Sequence, residues 1–395
     1  MLNAVVMKRL LRFSWLTFLL VGAAVPSAFA ADSLTPVKLR RTPEGGLQPQ
    51  ALVDGKGTLQ LVYLKGDPKA CDVYYARRAA GQTNFSSLRV NSEPGSAIAV
   101  GTIRGAQFAL GRNGRVHVAW NGSGNKKSER GAPMLYSRLN DAGDAFEPQR
   151  DLMTSTMYLD GGGSVAADGA GNVYVVWHAA PVEGPKGEQN RGVYMAKSAD
   201  DGKTFTEERK INPTATGACG CCGLKALADP RGRLGVLYRA ASGGVDRDVT
   251  LLLSKDEGQT FESKVLDQWR VPTCPMSSMA LETSGSGSFT AMWETQGKVR
   301  RSNISTDKVE ASSPAAPSGA GGGRKHPAMA DGGKAGRLQL TAWTEGTGWQ
   351  KGGAVAWELI DLDAGTKTSG RQDGVPVWGK VAAVAEPDGT FTIFY

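Results

Sequence analysis

The feature that most constrains this chain is a hairpin that recurs seven times along it. Each copy contains a strand, a turn with a glycine and a second strand that ends in Tyr or Trp. In six copies the glycine lies six residues before the aromatic, and successive aromatics are about 50 to 61 residues apart. The six pairs are Gly57–Tyr63, Gly114–Trp120, Gly171–Trp177, Gly232–Tyr238, Gly287–Trp293 and Gly389–Tyr395. This period is typical of four-stranded propeller blades, since one small sheet cannot bury both apolar faces alone.

The repeat predicts an all-β fold, a single β-propeller with seven blades of four-stranded antiparallel sheets. A six-bladed ring remains an alternative if the last hairpin completes the first blade. The copy from Gly336 to Trp343 is one residue longer, which predicts a β-bulge. We expect the early stretch TPVKLRR to add an outer strand to the last blade, so that the N- and C-terminal strands close the ring.

The first thirty residues have the pattern of a secretory signal peptide. Lys8, Arg9 and Arg12 flank or open a short apolar run, and Ala28–Ala30 reads Ala-Phe-Ala. Cleavage after Ala30 would leave residues 31–395 as the propeller, located in the periplasm or secreted. An uncleaved membrane anchor is the alternative, but the short run ending in small residues favours cleavage, with no membrane insertion afterwards.

Charge and composition narrow the partner classes further. The formal charge of +8 falls to +5 on cleavage, because three basic residues are lost and 43 basic remain against 38 acidic. The charges are interspersed, which favours a solvated surface over a nucleic-acid footprint. Residues 311–325 are rich in Ala, Ser, Pro and Gly and predict a flexible loop between blades five and six.

Two segments after third strands share one motif, S-x-D-x-G-x-T-F. Their motif residues are Ser198, Asp200, Gly202, Thr204 and Phe205, and Ser254, Asp256, Gly258, Thr260 and Phe261. Each aspartate can accept hydrogen bonds from turn backbone N–H groups, and each glycine can take a positive φ. The motif resembles the Asp box of bacterial neuraminidase repeats. Together with the hairpin repeat, the resemblance to sialidase-like propellers covers most of the chain.

The resemblance implies a structural role for the Asp boxes, on the face opposite the active site. Sialidases of this family use an arginine triad, a tyrosine nucleophile assisted by a glutamate, and an aspartate acid/base. They commonly carry an Arg-Ile-Pro near the start of the propeller, which this sequence lacks. The family also includes other glycosidases and propellers without catalysis.

The five cysteines are the most unusual chemical feature of the sequence. Blade-to-blade connections and second-to-third-strand loops share one face, and all five map there: Cys71, Cys219, Cys221, Cys222 and Cys274. For an exported chain we expect a disulfide between Cys222 and Cys274. A redox thiol and a copper or zinc site remain alternatives. The metal ligands would be Cys219, Cys221, Cys222, Cys274, Met276 and His326.

Other polar residues map to the same face. Candidate catalytic carboxylates, each following a second strand, are Asp67, Glu294 and Glu345. Candidate ligand-binding residues are Lys65, His178, Arg239 and His326. The function that these observations favour is non-hydrolytic binding of a glycan, small ligand or protein partner at the cysteine-bearing channel mouth, with no required cofactor. A sialidase-like glycoside hydrolase and a periplasmic copper or zinc protein are the alternatives.

Overall fold

Seven small sheets surround a central channel in the part of the chain that the structure describes. The computed structural model describes residues 37–123, 131–284, 287–319, 322–332 and 336–395. Each sheet is one blade of a β-propeller, and strands are numbered β1 to β28 in chain order. The predicted seven-bladed all-β fold is confirmed. The six-bladed alternative is excluded, because blade 1 has four strands without the last hairpin.

The first four blades follow one another from the innermost strand outwards. Blade 1 contains β2 (Leu47–Val53), β3 (Leu59–Asp67), β4 (Ala70–Arg78) and β5 (Ser86–Arg89). Blade 2 contains β6 (Gln107–Leu110), β7 (Val116–Asn121), β8 (Met134–Arg138) and β9 (Arg150–Asp151). Blade 3 contains β11 (Gly163–Ala167), β12 (Val173–Pro181), β13 (Gly192–Ser198) and β14 (Arg209–Lys210), and β10 (Thr156–Met157) pairs with the end of β12. Blade 4 contains β15 (Lys225–Ala228), β16 (Leu234–Arg239), β17 (Val249–Ser254) and β18 (Glu262–Asp267).

The last three blades include the closure of the ring. Blade 5 contains β19 (Met279–Thr283), β20 (Phe289–Thr295), β21 (Lys298–Ser305) and β22 (Glu310–Ala311). Blade 6 contains β23 (Arg324–Gly332), β24 (Leu338–Glu345), β25 (Gly353–Asp361) and β26 (Lys367–Val375). Blade 7 contains β27 (Ala382–Ala385), β28 (Phe391–Phe394) and β1 (Val37–Arg40).

The recurring hairpin supplies both the turns and the core. All seven turn glycines have φ between 67° and 99°, a region that favours glycine. The seven strand-end aromatics are at most 5% exposed. Seven apolar clusters lie between neighbouring blades, and the hydrophobic core is therefore a ring of inter-blade layers.

The ring closes through β1, as the sequence predicted. Val37–Arg40 pairs with Phe391–Phe394, and the backbone N–H of Tyr395 donates to Arg40 at 3.1 Å. This pairing is parallel, and blade 7 has three strands, unlike the four antiparallel strands expected of every blade. The direction differs because β1 comes from the opposite end of the chain and is not joined to β28 by a hairpin.

Three further expectations have different outcomes. The predicted bulge between Gly336 and Trp343 is absent from residues 338–342, which pair regularly with residues 328–332. The register shifts just beyond this stretch, between Ala328 and Lys325, where β23 has one residue more than β24. In the segment 311–325, Ala315 exchanges two backbone hydrogen bonds with Arg301, so this part of the expected flexible loop is anchored. The proposed signal peptide lies outside the described residues, and the described chain contains no helix long and apolar enough to cross a membrane.

Candidate functional site

The two faces of the propeller carry different kinds of residues. The backbone of Cys71, the second residue of β4, pairs with Ala97, which pairs in turn with Gly122. This ladder joins blades 1 and 2 on the face where the blade-to-blade connections lie. We call this side of the propeller the cysteine-bearing face, defined by Cys71, Cys219–Cys222 and Cys274. The turns between third and fourth strands lie on the opposite face.

Those opposite turns include the two Asp-box segments, which share one hydrogen-bond pattern. Asp200 accepts from the backbone N–H of Thr204 at 2.9 Å, from its hydroxyl at 2.6 Å and from Ser198 at 2.7 Å. Asp256 makes the same three contacts with Thr260 and Ser254. Burial opposes ionisation of both carboxyls, but these hydrogen bonds outweigh it and lower both pKa values, that of Asp256 to about 2. The motif therefore stabilises its own turn, away from the channel.

The central channel is a cavity of about 320 Å³ lined by the innermost strands of all seven blades. Towards the Asp-box face its lining is mainly apolar, with Val53, Leu110 and Ala228 as examples. Towards the cysteine-bearing face the lining is polar. The polar residues there are Gln50, Thr102, Gln107, Lys225, Ser278, His326 and Lys380. The channel thus has a polar mouth above an apolar stem, the arrangement expected of a small-molecule site.

Side-chain amides hold one lysine of this mouth in position. Lys225 donates to the side-chain oxygens of Gln107 at 3.0 Å and Gln50 at 3.2 Å. Gln50 in turn donates to Gln107 at 2.6 Å. Each of these residues belongs to an innermost strand, so three blades present one connected polar group to the lumen.

The second lysine, Lys380, makes no hydrogen bond or ion pair with the residues that the structure describes. Burial and the nearby charge of Lys225 lower the pKa of Lys380 to about 7. Burial also lowers the pKa of Lys225, although Glu282 opposes that shift. Two lysines confined in one lumen favour a bound anion, which would favour the charged form of both.

The carboxylate and imidazole of the lining do not neutralise both lysines. Burial raises the pKa of Glu282 to about 7, and its side chain is accessible from the lumen although protein surrounds it. Burial followed by the charges of Lys380 and Lys325 lowers the pKa of His326 to about 3, and its Nδ1 lies 3.1 Å from the Thr344 hydroxyl. His326 is therefore neutral at pH 7. Of the predicted ligand-binding residues, it is the one that the structure places in the channel lining.

An exposed tryptophan lies beside the channel mouth. Trp349 is 57% exposed, and its ring meets Trp378 edge-on with the centroids 4.9 Å apart. Trp349 comes from blade 6, yet a Cβ placed on Gly101, beside the lining residue Thr102, would lie 3.9 Å from its ring. Loops from blades nearly opposite each other in a seven-bladed ring can meet only near its axis. Trp349 therefore lies close to the loop that carries Thr102, beside the channel mouth, although it is not one of the lining residues.

The other predicted ligand-binding residues lie outside the lining. Lys65 pairs with Glu44 on the rim. The Nε2 atom of His178 lies 2.8 Å from the carbonyl oxygen of Cys222, and both residues are buried. Arg239 is 1% exposed and donates to Ser277 at 2.7 Å and to backbone carbonyls. Its guanidinium thus holds loops together instead of facing the lumen.

The three predicted catalytic carboxylates are not brought together at the channel. The exposed Asp67 accepts from the backbone of Lys69 at 2.9 Å. Glu345 is contacted by Trp343 and Arg371. Burial raises the pKa of Glu294, which accepts from the backbone of Gly297 at 2.9 Å. None of the three belongs to the described lining of the channel.

Four of the cysteines form a cluster where the connection between blades 3 and 4 meets the connection between blades 4 and 5. The disulfide joins Cys221 to Cys274, with the Cα atoms 6.4 Å apart, so the expected Cys222–Cys274 pairing was wrong. Cys222 instead faces Cys219, with the sulfurs 3.1 Å apart. Adjacent residues direct their side chains differently, and here the half-buried Cys221 reaches the exposed Cys274 while Cys222 is buried. His326 does not belong to the thiol group that the structure brings together.

The surroundings of Cys219 and Cys222 shift the pKa values of these two thiols in opposite directions. The hydrogen bond with Cys222, together with burial, raises the pKa of Cys219. Burial also opposes ionisation of Cys222, but the hydrogen bond from Cys219, the charge of Arg239 and hydrogen bonds from Ser277 lower its pKa. Cys71 is buried away from this group, and burial raises its pKa to about 12.

Comparison with known proteins identifies the fold class. Solved structures that are similar to this chain include the NanB sialidase of Streptococcus pneumoniae, at a TM-score of 0.53 and 10% identity over 85% of this chain and 80% of that one. A Hadza microbial sialidase, Hz136, has a TM-score of 0.50 and 14% identity over 82% and 71%. The fungal Aleuria aurantia lectin, a six-bladed propeller that recognises fucose, has a TM-score of 0.49 and 10% identity over 84% of this chain and 95% of that one.

The likenesses to the two sialidases show a propeller of sialidase-like fold and, at such identities, nothing finer. No protein family profile matches the sequence. No curated protein matches it either.

Proposed function

We propose that this chain is an exported binding protein that takes a small acidic carbohydrate at the cysteine-bearing mouth of its channel, without hydrolysing it. The observation that carries the proposal is the mouth itself. Two lysines, Lys225 and Lys380, and two amides face the cavity, and the exposed Trp349 lies beside its mouth, close to the loop that carries Thr102. Aromatic faces pack against sugar rings, amides bind hydroxyls, and ammonium groups bind carboxylates.

The arginines support binding over sialidase chemistry. No arginine or tyrosine is found in the channel lining that the structure describes. On the cysteine-bearing face, Arg104 contacts Asp160 and the carbonyl of Val100, and Arg239 is bound to loop carbonyls. These guanidinium groups already donate hydrogen bonds to other groups of the protein. An arginine triad that binds a substrate carboxylate would need them free.

The hydrolase alternative rests on one carboxyl group. Glu294 is buried beside the mouth-forming loops, burial raises its pKa, and its Oε2 atom has no hydrogen-bond partner. A buried carboxyl with a raised pKa suits a general acid. The alternative would also require a nucleophile within reach of a bound glycoside.

Titration with acidic and neutral monosaccharides tests the proposal. Glucuronate, galacturonate and N-acetylneuraminate are titrated calorimetrically, with galactose as the neutral comparator. At least one acidic sugar should bind more tightly than galactose. Trp349→Ala should weaken binding by about 10- to 100-fold, since buried aromatic anchors contribute a few kcal/mol.

Leu362→Ala is the matched control, because Leu362 is 52% exposed in a turn on the opposite face. The affinity of the Leu362→Ala variant for the acidic sugar should equal that of the unmodified protein. If the unmodified protein hydrolyses a fluorogenic sialoside and Glu294→Gln abolishes this turnover, the protein is a hydrolase and the non-hydrolytic proposal is wrong. Equal affinities of the Trp349→Ala and control variants would remove the proposed site.

A further inference from the structure

Four sulfur atoms converge where the loop between blades 3 and 4 meets the loop between blades 4 and 5. The sulfurs of Cys219, Cys221 and Cys222 all lie within 4.8 Å of one another. Cys219 is 3.1 Å from Cys222 and 3.6 Å from Cys221. Cys274 is bonded to Cys221 and so belongs to the same group. Spacings near 3.6 Å are compatible with sulfurs that share one metal ion at the usual metal–sulfur distance of about 2.3 Å.

The backbone fixes the two loops that carry these sulfurs. The N–H of Gly223 donates to the carbonyl of Ser277 at 2.9 Å, which joins the loop before β15 to the loop before β19. The N–H of Cys219 donates to the carbonyl of Arg239 at 2.9 Å. Ser277 also donates its hydroxyl to the Cys222 sulfur at 3.6 Å. The sulfurs are therefore held by a scaffold that does not depend on the disulfide alone.

The surroundings of the cluster suit a negatively charged metal–thiolate complex. Arg239, 1% exposed, binds Ser277 beside Cys222, and Arg247, 4% exposed, contributes a second cation close to Cys219. The guanidinium of Arg191 lies about 3 Å from the position of a Cβ on Gly220. Glu188, paired with Arg247, is the one carboxylate among these contacts. Buried cations offset the charge that several thiolates bring to one ion.

We propose that the reduced chain binds one thiophilic d10 ion, Zn(II) or Cu(I), through the sulfurs of Cys219, Cys221, Cys222 and Cys274. Sulfur ligands select these ions over Mg²⁺ and Ca²⁺, which prefer oxygen. Binding releases the protons of the thiols that become ligands and needs no change in oxidation state. The Cys221–Cys274 disulfide is the alternative state of the same site, two electrons more oxidised, in which two ligands are withdrawn from the ion.

This proposal is independent of carbohydrate binding in the channel. The full chain is reduced with a phosphine under anaerobic conditions and dialysed against Zn(II) or Cu(I) in separate samples. Bound metal is then counted by mass spectrometry. One ion per chain should remain in at least one sample, and the thiols that bind it should resist alkylation. The sample that retains the ion identifies the metal.

Two variants of the cluster separate loss of ligands from loss of folding. Cys222→Ser should abolish stoichiometric binding. Cys274→Ser changes an exposed residue, so the protein should remain folded while the affinity falls on the order of 100-fold, because even outer-shell changes cost 10- to 100-fold. Cys71→Ala is the matched control, since Cys71 is a buried thiol outside the cluster, and it should retain the full ion content.

Three results would overturn the proposal. The first is that the reduced protein retains no more Zn(II) or Cu(I) than the Cys222→Ser variant does. The second is Cys274→Ser binding as tightly as the Cys71→Ala control. The third is a second disulfide, Cys219–Cys222, that persists with no metal after reduction and reconstitution.

Discussion

At the scale of single residues, Lys380 couples ligand binding to protons. Its pKa of about 7 means that the free protein loses the charge as the pH rises through 7. An anion beside it favours the charged form and raises that pKa, so binding takes up protons. Affinity for an acidic sugar should be highest below pH 7 and should fall by up to about tenfold per pH unit above it. Calorimetry in buffers of different ionisation enthalpy measures both the affinity and the protons taken up.

The control for this prediction removes the titrating group. Lys380→Gln should bind the acidic sugar more weakly at pH 6 and lose most of the pH dependence between 7 and 9. Lys56→Met removes a lysine exposed on a hairpin turn of the opposite face and should leave the profile unchanged. A profile of Lys380→Gln that still falls steeply above pH 7 would show that another group carries the proton.

Arg239 has a structural role in this account. Its guanidinium donates to Ser277 and to the carbonyls of Arg247 and Glu294, and it lies 5.0 Å from the Trp269 ring centroid. Arg239→Met should lower the free energy of unfolding by about 3 to 5 kcal/mol, because buried acceptors lose their donor. Guanidinium denaturation measures this loss. A variant of unchanged stability with weaker sugar binding would instead make Arg239 a ligand-binding residue.

At the scale of elements, the Asp-box turn is a self-contained unit. Asp256 accepts three hydrogen bonds within its own turn, with Thr260 and Ser254. Asp256→Ala should therefore lower the free energy of unfolding by about 1 to 3 kcal/mol. Affinity for the sugar should not change, since the turn lies on the opposite face. Chemical denaturation and calorimetry of the same preparation test both statements, and a loss of affinity at full stability would contradict them.

The closing strand β1 can be tested one side chain at a time. Leu39 is partly buried against the blade 6–7 core, whereas Lys38 is exposed and pairs with Asp388. Leu39→Ala should cost about 1 to 3 kcal/mol through lost apolar burial, and Lys38→Ala less than about 1 kcal/mol. Thermal unfolding compares the two variants. Equal effects would mean that β1 does not contribute to the core.

At the scale of the whole molecule, the sequence predicts the ring much better than the site. Turn glycines such as Gly57 and aromatics such as Tyr63 are local signals repeated in every blade, so periodicity favours seven blades, and the strand-like stretch TPVKLRR predicts the closure. The disulfide partner could not be chosen in this way. Cys221 and Cys222 are neighbours in an irregular loop, and the path of that loop decides which sulfur reaches Cys274.

The channel mouth was predicted as the site, but most of its lining residues were missed for a related reason, although part of their signal is present in the sequence. Gln107 and Lys225 each open an apolar innermost strand, and Gln50 lies inside another. Alignment of these strands would reveal a polar position shared between blades. Trp349 left no such signal. It reaches the mouth only because loops of blades 6 and 2 meet across the axis, a contact between distant parts of the chain.

The central claim is that the channel mouth binds an anionic sugar through Lys225 and Lys380. The most direct test is a calorimetric titration at pH 6 with the tightest acidic monosaccharide, using the double variant Lys225→Met/Lys380→Met and the control Lys56→Met. The control should bind like the unmodified protein. The double variant should bind at least about 10- to 100-fold more weakly, since a hydrogen bond to a charged group contributes about 1.5 to 3 kcal/mol. Unchanged affinity of the double variant would contradict the claim.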